Sequence, residues 1–126
     1  MGTSKNVLLV EDEATLRGII ARNLAARGHT VTEADSAGEA ITRLTEALPD
    51  LMLLDISLPD RSGWDVLREM RRRGWNVPVV IISAVRVSRE RLEEFKPIAY
   101  LPKPFPLEAL LRVVSDARSP KGELAI

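Results

Sequence analysis

Apolar positions along this chain alternate between two patterns. The first is the short continuous run: Val7 to Val10, Leu51 to Leu54, Val79 to Ile82 and Ile98 to Leu101, with Val31 alone inside "HTVTEA". Three of these runs are unbroken and rich in β-branched residues or leucine. That predicts strands covered on both faces, as in a parallel sheet. The second pattern is helical. Leu16, Ile20 and Leu24 recur every fourth residue, and Ala37, Ala40, Ile41, Leu44 and Leu48 form a second stripe. Val66, Leu67 and Met70 make a third, and Leu107, Leu110, Leu111, Val114 and Ala117 another. A weaker helix is predicted over Ser88 to Phe95, with Leu92 as its main apolar contact.

Ser36 and Ser88 stand where N-caps belong, and Gly28 and Gly74 where two helices close. The order is strand then helix, five times over. It predicts an α/β sandwich with a five-stranded parallel sheet and right-handed crossovers. The units are unequal and dissimilar, so the chain reads as one domain rather than a solenoid. Residues 1–5 read as an N-terminal extension or expression scar, 6–118 as the domain, and 119–126 as a polar tail or a linker cut short.

Composition narrows the function. A chain of 126 residues with 45% apolar content buries about two-thirds of its unfolded surface and needs no staples. Eighteen basic and eighteen acidic residues balance, which gives no electrostatic footprint for nucleic acid or an anionic membrane. Without cysteine there is no disulfide or thiolate metal site. The single histidine, His29, falls in the turn-like "RGHTV", a poor place for a catalytic triad. No run reaches the ~18 apolar residues of a membrane helix, and "VLLV" is too short for a signal peptide, so the cytoplasm is the expected location.

In parallel α/β sheets, ligands bind beyond the carboxyl ends of the strands. There the first strand is followed by Glu11, Asp12 and Glu13, the third by Asp55, and the fifth by Lys103 and Pro104; the fourth ends in Ser83 and Ala84. A carboxylate at the end of a buried strand, as Asp55 is, is costly unless something compensates it. Clustered carboxylates repel one another, and a divalent cation is their natural compensator. Oxygen ligands with few protein contacts suit Mg²⁺, which keeps waters and favours phosphates. Lysine supplies a point charge for a phosphoryl oxygen. A carboxylate beside such a metal can act as a nucleophile and carry a phosphoryl group.

The stretches "VLLVEDE", "LLDISLPDRSGWDVL", "VVIISA" and "AYLPKPF" occur in one order and register. Together they resemble the receiver domain of two-component response regulators, over about Asn6 to Arg118. The resemblance implies a flavodoxin-like (βα)5 fold with strand order 2-1-3-4-5. It implies that Asp55 accepts a phosphoryl group from the phosphohistidine of a histidine kinase or phosphotransfer protein, with Mg²⁺ as cofactor and Mn²⁺ as a substitute. Asp12 and Asp55 would ligate the metal with the backbone carbonyl of Ser57, and Glu11 would act through water. Ser83 and Lys103 would contact the phosphoryl group. Ser83 and Tyr100 would switch inward, and Lys103–Pro104 would be a cis peptide bond. Such a domain catalyses its own phosphorylation and dephosphorylation while serving chiefly in signalling. Many receivers dimerise through the fourth-helix to fifth-helix face; the resemblance leaves the oligomeric state open and implies no direct nucleic-acid or membrane contact by this domain.

The chain departs from the family pattern in "FKPIAY", where Lys96 and Pro97 occupy a turn before Tyr100, and in a short interval from Ser83 to Lys103. Both lie around the fourth helix. Val85 stands where the family tunes dephosphorylation, and its apolar side chain cannot orient water. Taken singly, the residues have ordinary readings. Carboxylates favour helix N-termini, Asp60 and Gly63 suit a turn, and Arg71, Arg72 and Arg73 suit a solvated helix end. Two other functions compete: a phosphate-independent pseudo-receiver that only binds partners, and a metal-dependent phosphohydrolase. The second lacks a carboxylate two residues after Asp55 and has no room for a substrate cap.

Overall fold

The computed structural model describes residues 4–117. The expected domain end at Arg118, the tail 119–126 and the first three residues of the extension lie outside the described residues. Five strands, β1 (Asn6–Val10), β2 (Thr30–Ala34), β3 (Leu51–Asp55), β4 (Val79–Ser83) and β5 (Ala99–Pro102), alternate with five helices. These are α1 (Ala14–Ala26), α2 (Ala37–Glu46), α3 (Gly63–Arg73), α4 (Arg89–Phe95) and α5 (Leu107–Asp116). All strand pairs are parallel and the sheet order is β2-β1-β3-β4-β5.

The continuous apolar runs have a simple cause. In β3, Leu51 and Leu53 point to the layer of α1 and α5, while Met52 and Leu54 point to the layer of α2 and α3. With period-two geometry and helices on both faces, every position must be apolar. Each fully buried leucine contributes about 2 kcal/mol. The sheet edges differ: β2 is mostly exposed, which is why its apolar pattern is broken, and β5 is half-buried.

Local capping follows the sequence. Ser36 and Ser88 accept from the N–H groups of Glu39 and Arg91, and Gly74 closes α3 at φ 71°. Two expectations need correction. Leu48 is not on the α2 stripe: α2 stops at Glu46 and Leu48 is 49% exposed, because the residue before Pro49 is steered away from helical geometry. The fifth strand begins at Ala99, and Ile98 is 48% exposed after the Lys96–Pro97 turn. The arginines of α3 form an exposed helix end, as expected, and Arg71 adds a contact to α4. Arg71 donates to the carbonyl of Glu94 (2.8 Å) and lies over the Phe95 ring, which itself stacks on Trp64 at 5.3 Å. Since α4 has no fully buried residue, this clamp supplies much of its attachment to α3.

Candidate functional site

The parallel topology brings the ends of β1, β3, β4 and β5 to one rim of the sheet. Glu11 follows β1 directly and is wholly buried. Asp55 closes β3 at 2% exposure and Ser83 closes β4 at 1%, whereas Asp12 is exposed. Carboxylate oxygens of Glu11, Asp12 and Asp55 lie within 4.8 Å of one another. Lys103, one residue past β5, is brought in by register: its N–H donates to the carbonyl of Ser83 (2.8 Å). Its Nζ stands 2.8 Å from Glu11 Oε1 and 3.0 Å from Asp55 Oδ2. The Asp55 contact is an aligned hydrogen bond; the Glu11 contact is an ion pair outside hydrogen-bond alignment.

The electrostatics follow from burial and pairing. Burial alone would lower the Lys103 pKa, but Glu11 and Asp55 outweigh it and hold the ammonium above its ordinary value. Burial pushes the Glu11 carboxyl up, against the pull of Lys103 and the Glu13 N–H, with Asp55 adding to the rise. Three carboxylates against one ammonium carry a formal deficit of two positive charges. A divalent cation with oxygen ligands fits that deficit, and the exposed Asp12 leaves the cluster open to solvent.

The other expected site residues are placed as follows. Ser57 donates its N–H to Asp55 Oδ1 (3.0 Å), so both Asp55 oxygens have protein partners. Ser83 Oγ is turned onto its own loop: it donates to the Val85 carbonyl (2.9 Å) and accepts from the Val85 N–H (3.0 Å). Tyr100 is half-buried on β5 beside Ile81 and packs on the α2–α3 side of the core. Lys103–Pro104 is cis. Glu13 stays out of the cluster and caps α1 by accepting from the Leu16 N–H (3.1 Å).

Two residues read as turn chemistry carry more. Asp60 accepts from the N–H groups of Ala37 and Gly38, both at 2.9 Å, and so ties the loop after β3 to the start of α2. Gly63 lies against the end of β3: a Cβ there would sit 2.7 Å from the Asp55 carbonyl oxygen and 2.9 Å from Ile56 Cα. Nothing in a one-dimensional pattern marks that approach. Arg17 carries no sequence signal for the site; its guanidinium donates to the Glu11 carbonyl (2.9 Å) and to Glu33 Oε1 (3.0 Å).

This fold and this acidic rim are those of a signalling receiver, and sequence comparison agrees. The pattern of the response regulator receiver domain matches residues 7–115, so the chain belongs to that family. It is 38% identical over 106 residues to the two-component response regulator PhoP of Pseudomonas aeruginosa, covering 82% of this chain and 47% of that protein. To the response regulator MprA of Mycobacterium ulcerans it is 34% identical over 110 residues, covering 86% of this chain and 47% of that protein. The chain thus spans about half the length of the curated relatives it matches. Among solved structures, the response regulator TrrA of Thermotoga maritima in complex with Mg²⁺-BeF superposes with a TM-score of 0.77 at 27% identity, covering 87% of this chain and 96% of that one. A CheY-like receiver domain protein of Methanospirillum hungatei has the same fold, with a TM-score of 0.80 at 24% identity and coverage of 89% and 91%. Receiver domains bind Mg²⁺ at an acidic site, and this chain carries such a carboxylate cluster.

Proposed function

We propose that Asp55 is the phosphoacceptor of this receiver domain. The observation that carries the reading is the convergence of Glu11, Asp12 and Asp55 within 4.8 Å, bridged by Lys103. A carboxylate oxygen of Asp55 forms the new O–P bond as the N–P bond of a partner's phosphohistidine breaks. The imidazole leaves with the electron pair and is neutralised by a proton. Lys103, already 3.0 Å from Asp55, follows the charge onto the phosphoryl oxygens. Asp12, Asp55 and the Ser57 carbonyl would hold Mg²⁺, with Glu11 acting through water and Mn²⁺ as a substitute. When bound, the ion supplies positive charge against the transferring phosphoryl group.

Ser83 must give up its donated bond to the Val85 carbonyl to donate to the phosphoryl group. That rearrangement, with inward movement of Tyr100, shifts the population between two states of the face formed by α4, β5 and α5. The natural partner is a histidine kinase or phosphotransfer protein. An open apolar cavity of about 360 Å³, lined by Leu16, Ala84, Lys103, Pro104 and Phe105, gives it a footing beside the site. The receiver unit covers residues 6–118 and works in the cytoplasm, without direct contact to nucleic acid or membrane. The face a homodimer would use is that of α4 and α5.

Intact mass after incubation with a cognate phosphodonor kinase or acetyl phosphate tests the assignment. One added phosphoryl group is expected, dependent on Mg²⁺, abolished by chelator and absent in Asp55→Asn. Label that persists in Asp55→Asn refutes it.

A further inference from the structure

Arg17 lies on α1 and is joined to the site through the main chain. Its side chain is only 21% exposed. Nη1 donates to the Glu11 carbonyl oxygen at 2.9 Å, and Nε donates to Glu33 Oε1 at 3.0 Å, on the neighbouring strand β2. The Glu11 N–H in turn donates to the Ala34 carbonyl at 3.0 Å. Both backbone polar groups of Glu11 are thus tied to fixed elements. The Glu11 carbonyl and the Asp12 amide share one planar peptide unit, so holding that carbonyl sets the plane from which Asp12 departs. Asp12 is exposed, so its orientation depends on the backbone that carries it.

A guanidinium beside an acidic cation site is otherwise a disadvantage. Through space its charge repels a divalent cation and works against the carboxylates. The two effects have opposite signs, so they can be separated. We propose that Arg17 is a positioning residue: anchored by Glu33, it holds the Glu11–Asp12 peptide in the orientation the divalent cation requires. This rests on the proposed reading of the acidic cluster as the metal and phosphoryl site. Partners one layer behind metal ligands characteristically change affinity by about 10–100-fold when removed.

The test is calorimetric titration of Mg²⁺ into the 126-residue chain at constant ionic strength, for wild type, Arg17→Met, Arg17→Lys and Glu33→Gln. Arg17→Met is expected to weaken Mg²⁺ binding about 10-fold. Arg17→Lys restores part of the loss, since an ammonium can still donate to the Glu11 carbonyl but cannot span to Glu33 as well. Glu33→Gln keeps an acceptor for Nε and loses less than Arg17→Met. In phosphorylation from acetyl phosphate, the Mg²⁺ dependence moves to higher concentration while the rate at saturating Mg²⁺ stays near wild type. A purely structural role would leave the Mg²⁺ affinity of the folded variant unchanged. Mg²⁺ binding by Arg17→Met that equals or exceeds wild type overturns the proposal. Should Arg17→Met fail to fold by circular dichroism, Arg17→Lys decides, with unchanged affinity as the refuting result. Absence of Mg²⁺ binding by the wild type at millimolar concentration refutes the underlying reading instead, and is seen before any variant is compared.

Discussion

Substituting Gly63 by alanine tests how tightly the loop after β3 is built against Asp55. The new Cβ would meet the Asp55 carbonyl oxygen at 2.7 Å, Ile56 Cα at 2.9 Å and Ile56 Cδ1 at 2.9 Å. Two of these neighbours are backbone and cannot rotate away. The main chain must move by several tenths of an ångström, which strains the Gly63 N–H bond to the Ile56 carbonyl (2.8 Å). Overpacking of this kind costs about 1–3 kcal/mol, and a weakened backbone hydrogen bond adds about 1 kcal/mol. Alanine's better helix propensity returns somewhat less than 1 kcal/mol at this first helical position. The expected net destabilisation is about 2 kcal/mol, read from urea denaturation midpoints at constant m-value. Gly18→Ala is the control. Its only close neighbour is the mobile end of Arg22 at 3.3 Å, so helix propensity dominates and it should stabilise α1 by about 0.5–1 kcal/mol. A Gly63→Ala protein within about 0.5 kcal/mol of wild type would refute the reasoning, since the close approach would then cost nothing.

Three further substitutions probe separate features. Asp60→Ala frees two amides in the first turn of α2 and should cost about 1 kcal/mol. The Gly38 and Ala37 N–H groups hold the Asp60 carboxyl below its ordinary value. The wild-type advantage is therefore complete above the unfolded aspartate value and fades as pH falls through the lower folded one; an advantage unchanged at pH 2 would contradict this. His29 is 7% exposed and accepts from the Lys5 N–H (3.2 Å), and burial, with Lys5 and Arg27 nearby, lowers its pKa. The unfolded chain then takes up the proton first, so stability is full above the ordinary histidine value and is lost as pH falls below it. His29→Gln should flatten denaturation midpoints between pH 7.5 and 5.5, and equal slopes in the two proteins would rule this out. Lys96 holds φ 49° at the end of α4, a left-handed conformation costing a side-chain-bearing residue about 1 kcal/mol. Lys96→Gly should raise the thermal midpoint slightly, and a lowered midpoint would show that the lysine side chain outweighs the strain.

Much of this molecule was legible in one dimension because its causes are local. The runs at Leu51 to Leu54 and Val79 to Ile82 announce buried parallel strands, since helices on both faces leave no polar position. Ser36, Ser88 and Gly74 were readable as caps because a cap satisfies groups within one turn. Leu48 fits the α2 period by its apolar character yet lies outside the helix, because the adjacent Pro49 acts on the backbone and not on the pattern. Arg71 looked like a helix-end charge because its partners, Glu94 and Phe95, are more than twenty residues away.

The same division separates the site. Residue types and their positions after successive strands were sufficient for the acid cluster and the lysine, because parallel topology sends every strand's carboxyl end to one rim. The sequence by itself therefore determined the fold class, the family and the candidate chemistry. Tertiary structure alone decided which oxygen Lys103 bridges, that Ser83 faces Val85, that Gly63 lies against the Asp55 backbone, and that Arg17 reaches from α1 to the Glu11 carbonyl and the edge strand. Those are distances between segments set by helix packing on a twisted sheet, and contacts of that kind leave no period in the chain.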